Sequence, residues 1–289
     1  MLRRAAYSVV VANFFAHAQP ADTSLRFEVV SIRPSPLPAG KPMRYGIMGG
    51  PGTGDPGLMT FAHVSLGMLV RRAYSVESFE LSCPDWFYTE RFDLSAKVPE
   101  GATKGQVPIM IQNLLIDRFQ LKVHREMREM PIYELSVAKG GPKLKLAPPD
   151  TPRQEGVSGM PALDKDKFPV IPPGRAGMLS IDGRARWQDP DADIAELAKM
   201  LARELGKPVT DATGLKGRYG ISLDWIQEDA AAAVTDAEVA GPEIGATDAA
   251  LGPNIFTALK QQLGLRLEAK KGPAAILVVD SASRVPTEN

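Results

Sequence analysis

Histidine and cysteine are scarce in this sequence, and their scarcity limits the chemistry that the chain can perform. The 289 residues contain three histidines and one cysteine, Cys83. His124 is followed two positions later by Glu126, and a strand would place both side chains on one face. A carboxylate beside an imidazole can orient a catalytic base, so His124 is the candidate catalytic residue. A strand face in contact with solvent explains the same spacing.

The common patterns of catalytic and metal sites are missing. The sequence lacks the Gly-x-Ser-x-Gly turn of many hydrolases and the His-Glu-x-x-His helix of zinc proteases. A glycine-rich stretch at 46–57 lacks the lysine that a phosphate-binding loop requires, so a loop between two strands is predicted there. Asp93 and Asp224, near the ends of corresponding strands, could be paired acids or independent surface carboxylates. No metal and no cofactor are predicted.

Three consecutive aromatic residues form the best candidate binding motif. Trp86, Phe87 and Tyr88 follow Cys83 and a proline, in what the sequence predicts to be a turn between strands at 79–86 and 91–98. Clustered aromatic side chains can line a ligand pocket or a protein interface, but they can also plug the end of a sheet. Cys83 has no histidine near it in sequence and is expected to be a partly buried thiol rather than a nucleophile.

A repeated pattern organises the chain around two stretches, 114–137 and 254–280. Each predicts the end of a helix, a strand, a charged turn and a second strand. Residues 275–279 are apolar throughout, so the last strand is expected to be central and covered on both faces. The alignment pairs Phe119-Gln120-Leu121-Lys122-Val123 with Leu263-Gly264-Leu265-Arg266-Leu267.

The repeat predicts an α+β fold with two duplicated halves, each an antiparallel sheet packed with two helices. Helices are expected after the capping residues Ser65 and Asp193, and at 107–119. The first domain is predicted at 19–139 and the second at 178–289. The Pro- and Gly-rich stretch 140–177 is interpreted as a linker. Residues 227–253, rich in Ala, Asp, Glu and Gly, are interpreted as a disordered insertion.

The first eighteen residues have the pattern of a secretory signal peptide. MLRR is followed by a short, mostly apolar run and by Ala16-His17-Ala18, which predicts cleavage after Ala18 and a secreted or periplasmic protein. Cleavage would remove two of the 34 basic residues and none of the 34 acidic ones, leaving a formal charge of −2. This charge argues against nucleic acid as a partner. No transmembrane segment is predicted in the mature chain.

Several segments resemble a family of uncharacterised secreted proteins that are associated with soil and abundant in acidobacteria. The segments include FEVVSIRPS near the start, PDW at 84–86, RFDLSAK at 91–97, LLIDRFQLKVHRE at 114–126 and TGLKGRY at 213–219. The resemblance covers nearly all of the mature chain and implies no catalytic residue. Cys83 stands where glycine is expected before PDW. Each half also resembles, more loosely, the short N-terminal binding modules of secretins and TonB-dependent receptors.

These observations lead to three functional hypotheses. The first is a secreted or periplasmic binding protein without catalytic activity, whose partner is an unknown protein or envelope ligand. The second is an extracellular hydrolase that uses His124 with a carboxylate. The third is a structural protein of the cell envelope, which a broad exposed apolar surface would favour.

Overall fold

The computed structural model describes residues 24–35, 45–155, 162–165, 167–227 and 252–287. The predicted signal peptide and nearly all of the predicted insertion at 227–253 lie outside this part of the chain. The described residues combine helices with several antiparallel sheets, so the predicted α+β class is confirmed. The chain forms two compact units. Unit 1 comprises Met1–Glu129 and Pro273–Asn289, and unit 2 comprises Met130–Gly272.

Unit 1 contains a four-stranded antiparallel sheet in the order β1-β5-β3-β2. Side chains alternate along its strands, so that Phe92, Leu94 and Ala96 of β5 are buried whereas Ser95 and Lys97 are exposed. A two-residue strand, Leu81–Ser82, pairs in parallel with Leu277 and Val278 near the end of the chain. The strands of unit 1 are β1 (Val29–Pro34), β2 (Gly46–Gly49), β3 (Leu58–Val64), β4 (Leu81–Ser82) and β5 (Phe92–Lys97).

Three helices complete unit 1: α1 (Leu66–Tyr74), α2 (Trp86–Thr89) and α3 (Val107–Phe119). The predicted cap of α1 is confirmed, because the Ser65 hydroxyl accepts a hydrogen bond from the Met68 amide. The helices and the sheet enclose a core in which the rings of Phe61, Phe87 and Phe119 are at most 1% exposed. The helix predicted at 107–119 is confirmed, because α3 has the same bounds.

Unit 2 contains a five-stranded sheet in the order β7-β12-β10-β9-β8. Its helix α4 begins at the predicted cap, where the Asp193 carboxylate accepts the Glu196 amide and the Glu196 carboxylate accepts the Asp193 amide. Helix α5 (Ile255–Ala258) continues as a π-helical turn, Leu259–Leu263. The remaining elements are β7 (Lys145–Leu146), β8 (Gln154–Glu155), β9 (Arg175–Ile181), β10 (Arg184–Ala192), α4 (Ile194–Leu205), β11 (Val209–Asp211) and β12 (Tyr219–Ile226).

Two long strands, β6 (Lys122–Val137) and β13 (Leu265–Ser281), are neighbours in a sheet of order β11-β6-β13-β4. The predicted charged turn within each repeat is wrong, because each stretch is one continuous strand. Charged side chains in the middle of these strands lie exposed and pair across to the neighbouring strand, as Lys270 does with Glu134 at 2.5 Å. Such a run resembles a turn in sequence because neither face is apolar. The predicted central position of the last strand is confirmed, because β13 lies between β6 and β4. Its predicted cover on both faces is incomplete, because Ile276 and Leu277 are buried but Ala275 is exposed.

The two repeated stretches adopt the same order of elements. Each has a helix that ends in a residue with left-handed backbone, Gln120 at φ 51° and Gly264 at φ 66°, and each then enters a long strand. Duplication of the complete halves stays a prediction. The compact units do not coincide with 19–139 and 178–289, because the end of β13 packs in unit 1 through Leu277.

Two predicted segments, a strand at 79–86 and a linker at 140–177, differ from the structure. The predicted strand at 79–86 is wrong, because the chain forms a 3₁₀ turn at Ser78–Glu80, the short β4, and the first residue of α2. The predicted linker at 140–177 contains β7, β8 and the buried side chains of Phe168 and Ile171 in its described part. The main-chain carbonyl of Pro169 anchors this stretch, because it accepts a hydrogen bond from the Arg186 guanidinium. Isolated apolar residues in a Pro- and Gly-rich stretch have no period that would reveal packing.

Replacing Gly264 with alanine should destabilise unit 2. A methyl group there would lie 2.1 Å from the Gly141 carbonyl oxygen, and the alanine would have to adopt a left-handed backbone. We expect Gly264→Ala to lower the unfolding free energy by about 3 kcal/mol in urea titrations. The control is Gly206→Ala at the end of α4, which has a similar φ of 62° and no atom within 4 Å, and should cost about 1 kcal/mol. Equal losses would contradict the close contact.

Candidate functional site

A cleft with a volume of about 720 Å³ lies in unit 1 beside the ends of β1 and β3. Its wall includes the start of β5 and the C-terminal segment that follows β13. We call it the His63 cleft, and it is lined by Pro34, Ser35, His63 and residues 89–92 and 284–286. Phe92, Val285 and Pro286 supply apolar surface, whereas Glu90, Arg91 and Arg284 supply charge. A largely apolar concavity with few polar groups is the usual form of a small-molecule site.

His63 owes its position to an irregularity in β3. The pairing of β3 with β5 shifts register between Phe61 and Val64, and His63 has a left-handed backbone with φ 51°. The Asp93 carboxylate stabilises this conformation by accepting the His63 amide at 2.8 Å. Left-handed backbone is costly for a residue with a side chain, and bulges that carry it often lie next to functional sites. The bulge leaves His63 only 6% exposed, at the inner wall of the cleft.

The imidazole of His63 contacts a hydroxyl and an aromatic ring. Its Nδ1 lies 3.2 Å from the Ser35 hydroxyl, and the Tyr45 ring meets it edge to face at 5.3 Å. A serine beside a histidine provides two members of a nucleophilic triad. Asp93 does not serve as the third member, because it bonds to the His63 main chain and not to the ring. Nothing in the sequence indicates this pair, since its residues are 28 positions apart and the bulge has no sequence signature.

The C-terminal segment forms one wall of the cleft and is hydrogen-bonded at both ends to the end of α3. The Ser283 amide donates to the Phe119 carbonyl at 2.6 Å, and the Thr287 amide donates to the Arg118 carbonyl at 2.8 Å. Between these anchors, the Arg284 guanidinium lies 5.4 Å above the Trp86 ring and 3.8 Å from the Glu90 carboxylate. These two main-chain hydrogen bonds therefore fix residues 284–286 as one wall of the cleft.

The three predicted binding aromatics have different surroundings. Trp86 is partly buried and reaches the cleft through its contact with Arg284. Phe87 is 1% exposed and belongs to the core of unit 1, so a ligand does not reach it in this conformation. Tyr88 packs closely on α1, where a Cβ added to Gly67 would lie 2.7 Å from the Tyr88 ring. These three residues therefore do not form one common binding surface, and a binding role for Trp86 stays a prediction.

Cys83 has the character of an unreactive thiol. Burial raises its pKa, a hydrogen bond with Tyr88 opposes that rise, and the charge of Asp85 adds to it. Burial and the contact with Cys83 likewise raise the pKa of Tyr88 to about 12. Reactive cysteines have a lowered pKa instead. The position of Cys83 agrees with the sequence-based expectation of a partly buried thiol.

His124, the candidate catalytic residue, lies on the exposed surface of β6. Its Nδ1 is 2.7 Å from an Asp280 carboxylate oxygen, and its Nε2 is 3.7 Å from the Glu126 carboxylate. A hydrogen bond from Arg128 and, to a smaller degree, the contact with His124 lower the pKa of Glu126. The His124 side chain is 47% exposed, so it contacts solvent directly. The orienting carboxylate is Asp280, from a strand 156 residues away, and sequence spacing had indicated only Glu126.

The two candidate paired acids are not brought together. Asp93 binds the His63 main chain within unit 1, whereas Asp224 pairs with Arg186 at 2.5 Å within unit 2. Trp225, the next residue, donates from its indole to Glu204 and is 2% exposed, as expected for a packing residue. Within the described ranges, no cluster of three metal-binding side chains is present. The helices described in this chain are also too short or too polar to span a bilayer.

The fold and the His63 cleft together define an α+β protein with a small concave site. Residues 67–282 match the family described as "Protein of unknown function (DUF3738)", and the chain belongs to this family. No curated protein matches the sequence, and no solved structure matches it.

The raised pKa of Cys83 can be measured through its reactivity. Thiolate forms only at higher pH when the pKa is raised, so iodoacetamide should alkylate folded protein with a midpoint above that of unfolded protein. Protein unfolded in urea is the matched control and should regain the ordinary midpoint. A midpoint in the folded protein below that of the control would contradict the protective environment and indicate an activated thiolate.

Proposed function

We propose that this protein binds a small molecule in the His63 cleft without transforming it. One observation carries the proposal: the cleft, of about 720 Å³, combines apolar walls with a few charged groups and a fixed C-terminal wall. Pockets of roughly 300–1,000 Å³ with this composition accommodate most of the surface of a small ligand. Because both ends of the wall are hydrogen-bonded, little ordering would oppose binding.

The arrangement around His63 favours binding over catalysis. A triad requires the base to be oriented by a third group on its ring, and Asp93 is occupied by the His63 amide. The Ser35 hydroxyl and the His63 ring can instead serve as hydrogen-bonding groups that orient a ligand. We therefore assign both residues to recognition.

We further propose that the protein acts outside the cytoplasm. The signal-peptide pattern at residues 1–18 and the resemblance to secreted proteins of soil acidobacteria support this location. The looser resemblance to the N-terminal modules of secretins and TonB-dependent receptors supports a role in binding, because those modules are small periplasmic binding domains. An exported binding protein would meet its ligand in the periplasm or beyond it.

Fluorescence titration with anilinonaphthalene, a neutral apolar probe, tests the cleft. We expect saturable binding that Val285→Asp weakens by at least about fivefold, because a carboxylate in an apolar wall must be desolvated. Val285 is 75% exposed, so its replacement should leave the melting temperature unchanged. Met127→Asp is the matched control: Met127 is 65% exposed on β6, outside the cleft lining, and the change should not affect binding.

Two results would contradict the proposal. The first is the absence of saturable binding by the wild-type protein. The second is an equal loss of affinity in the Val285 and Met127 variants, which would show that the probe adheres to exposed apolar side chains in general.

A hydrolase is the second candidate function, and the contact of His124 with Asp280 at 2.7 Å favours it. With a panel of nitrophenyl esters, we expect no turnover above that of Asp280→Asn and His124→Ala. In the described part of the chain, the exposed imidazole contacts the carboxylates of Asp280 and Glu126 and no hydroxyl or thiol. Turnover that disappears in His124→Ala while the melting temperature is unchanged would replace the binding proposal with catalysis. Ser35→Ala, assayed in parallel, tests the hydroxyl of the His63 cleft in the same way.

A further inference from the structure

We propose that the ligand of the His63 cleft joins an oxyanion to an apolar body, and that Arg91 binds the oxyanion. This inference rests on the proposed function, since it requires the cleft to be a binding site, and it adds the chemical class of the ligand. The observation behind it is that, among the described residues, the Arg91 side chain has no partner, whereas Arg284 and Glu90 of the same cleft lie near each other.

The main chain holds Arg91 at the edge of the cleft. The Arg91 carbonyl accepts the Ser35 amide at 2.8 Å, which extends the pairing of β1 with β5 by one residue. The side chain is partly buried and lines the cleft. Within the described part of the chain, its guanidinium makes no hydrogen bond and no ion pair.

Three other arginines of unit 1 have partners. Arg118 donates to the carbonyls of Thr287 and Val30, and Arg71 pairs with Glu77 at 3.2 Å. In the cleft itself, Arg284 lies between Trp86 and Glu90. A guanidinium that is partly removed from water without a partner loses hydration and gains nothing in return. An oxyanion would supply the missing acceptors, and the planar guanidinium suits the oxygens of carboxylate, phosphate or sulfonate.

The charge balance of the cleft also favours an anion. Arg91 and Arg284 contribute two positive charges, and Glu90 is the one carboxylate in the lining. Asp93, which lies nearby, is outside the lining and already accepts the His63 amide. The lining therefore has one more positive than negative charge when His63 is neutral. Ser35 and His63 can add donors to a bound oxyanion.

The remaining walls require an apolar body. Phe92 is 3% exposed and lies at the inner side of the lining, while Val285 and Pro286 belong to the C-terminal wall. A bare inorganic anion would leave this apolar surface in contact with water. A ligand that combines the two chemistries would desolvate the guanidinium and strengthen its bond to the anion.

Two fluorescent probes that differ only in an oxyanion test the inference. Anilinonaphthalene sulfonate carries the charge, and anilinonaphthalene has the same apolar body without it. We expect the wild-type protein to bind the sulfonate about tenfold more tightly, the advantage expected of a charge-assisted hydrogen bond. Arg91→Gln should remove that advantage and leave the affinity for the neutral probe unchanged.

Arg33→Gln is the matched control. It removes the same charge from β1, and Arg33 is exposed and outside the lining of the cleft, so both affinities should remain at their wild-type values. Displacement of the sulfonate probe by decanoate or by decyl phosphate distinguishes a carboxylate ligand from a phosphate ligand. Decanol is the neutral competitor and should displace the probe less well than either anion.

The outcomes separate this inference from the proposed function. If both probes bind equally to the wild-type protein, or if Arg91→Gln weakens both alike, the inference is overturned while the cleft remains a binding site. If Arg33→Gln has the same effect as Arg91→Gln, general surface charge is responsible and the inference is again overturned. If neither probe binds, both the inference and the proposed function fail. Selective loss of the sulfonate advantage in Arg91→Gln supports the inference.

Discussion

The pairing of the two long strands, β6 and β13, is the constraint on which both compact units depend. Both strands contribute side chains to both cores. Leu277 of β13 is buried in unit 1, and Val123 of β6 packs against the same core. Leu135 of β6 and Leu265 of β13 are buried in unit 2. Both strands also carry exposed charged residues, such as Arg128 of β6 and Lys270 of β13. Main-chain hydrogen bonds join the two strands, and within unit 2 the Lys270 ammonium pairs with the Glu134 carboxylate across them.

In unit 1, this arrangement also determines where the cleft forms. Leu277 pairs with Leu81 and fixes the end of β13, after which residues 282–287 follow the end of α3. The hydrogen bonds of Ser283 and Thr287 then form the wall that closes one side of the cleft. On the opposite side, the irregularity of β3 places His63 at the wall of the cleft. The Asp93 carboxylate stabilises the His63 backbone by accepting its amide. The cleft is thus bounded by the segment that follows the end of β13 and by the bulge in β3. Neither is part of a regular helix or a regularly paired strand.

Several polar groups in and near the His63 cleft already have partners within the protein. The Asp93 carboxylate accepts the His63 amide, Glu90 lies near Arg284, and partial burial raises the pKa of Cys83. His124 has a good orienting carboxylate but stands on an open strand face. Recognition makes smaller demands than catalysis, because it requires complementary surface and charge rather than a complete proton relay.

Local physics determined much of this protein from sequence alone. Ser65 and Asp193 are helix caps because a side-chain oxygen can bond to nearby amides, and the spacing at 107–119 is helical because one face must be apolar. The α+β class and the central position of β13 follow from similar patterns. Only tertiary structure decided that the charged stretches are continuous strands, that Phe87 is core, and that Ser35, His63, Arg91 and Arg284 line one cleft. These features depend on contacts between residues far apart in the chain and on a backbone irregularity, and neither produces a period that a sequence displays.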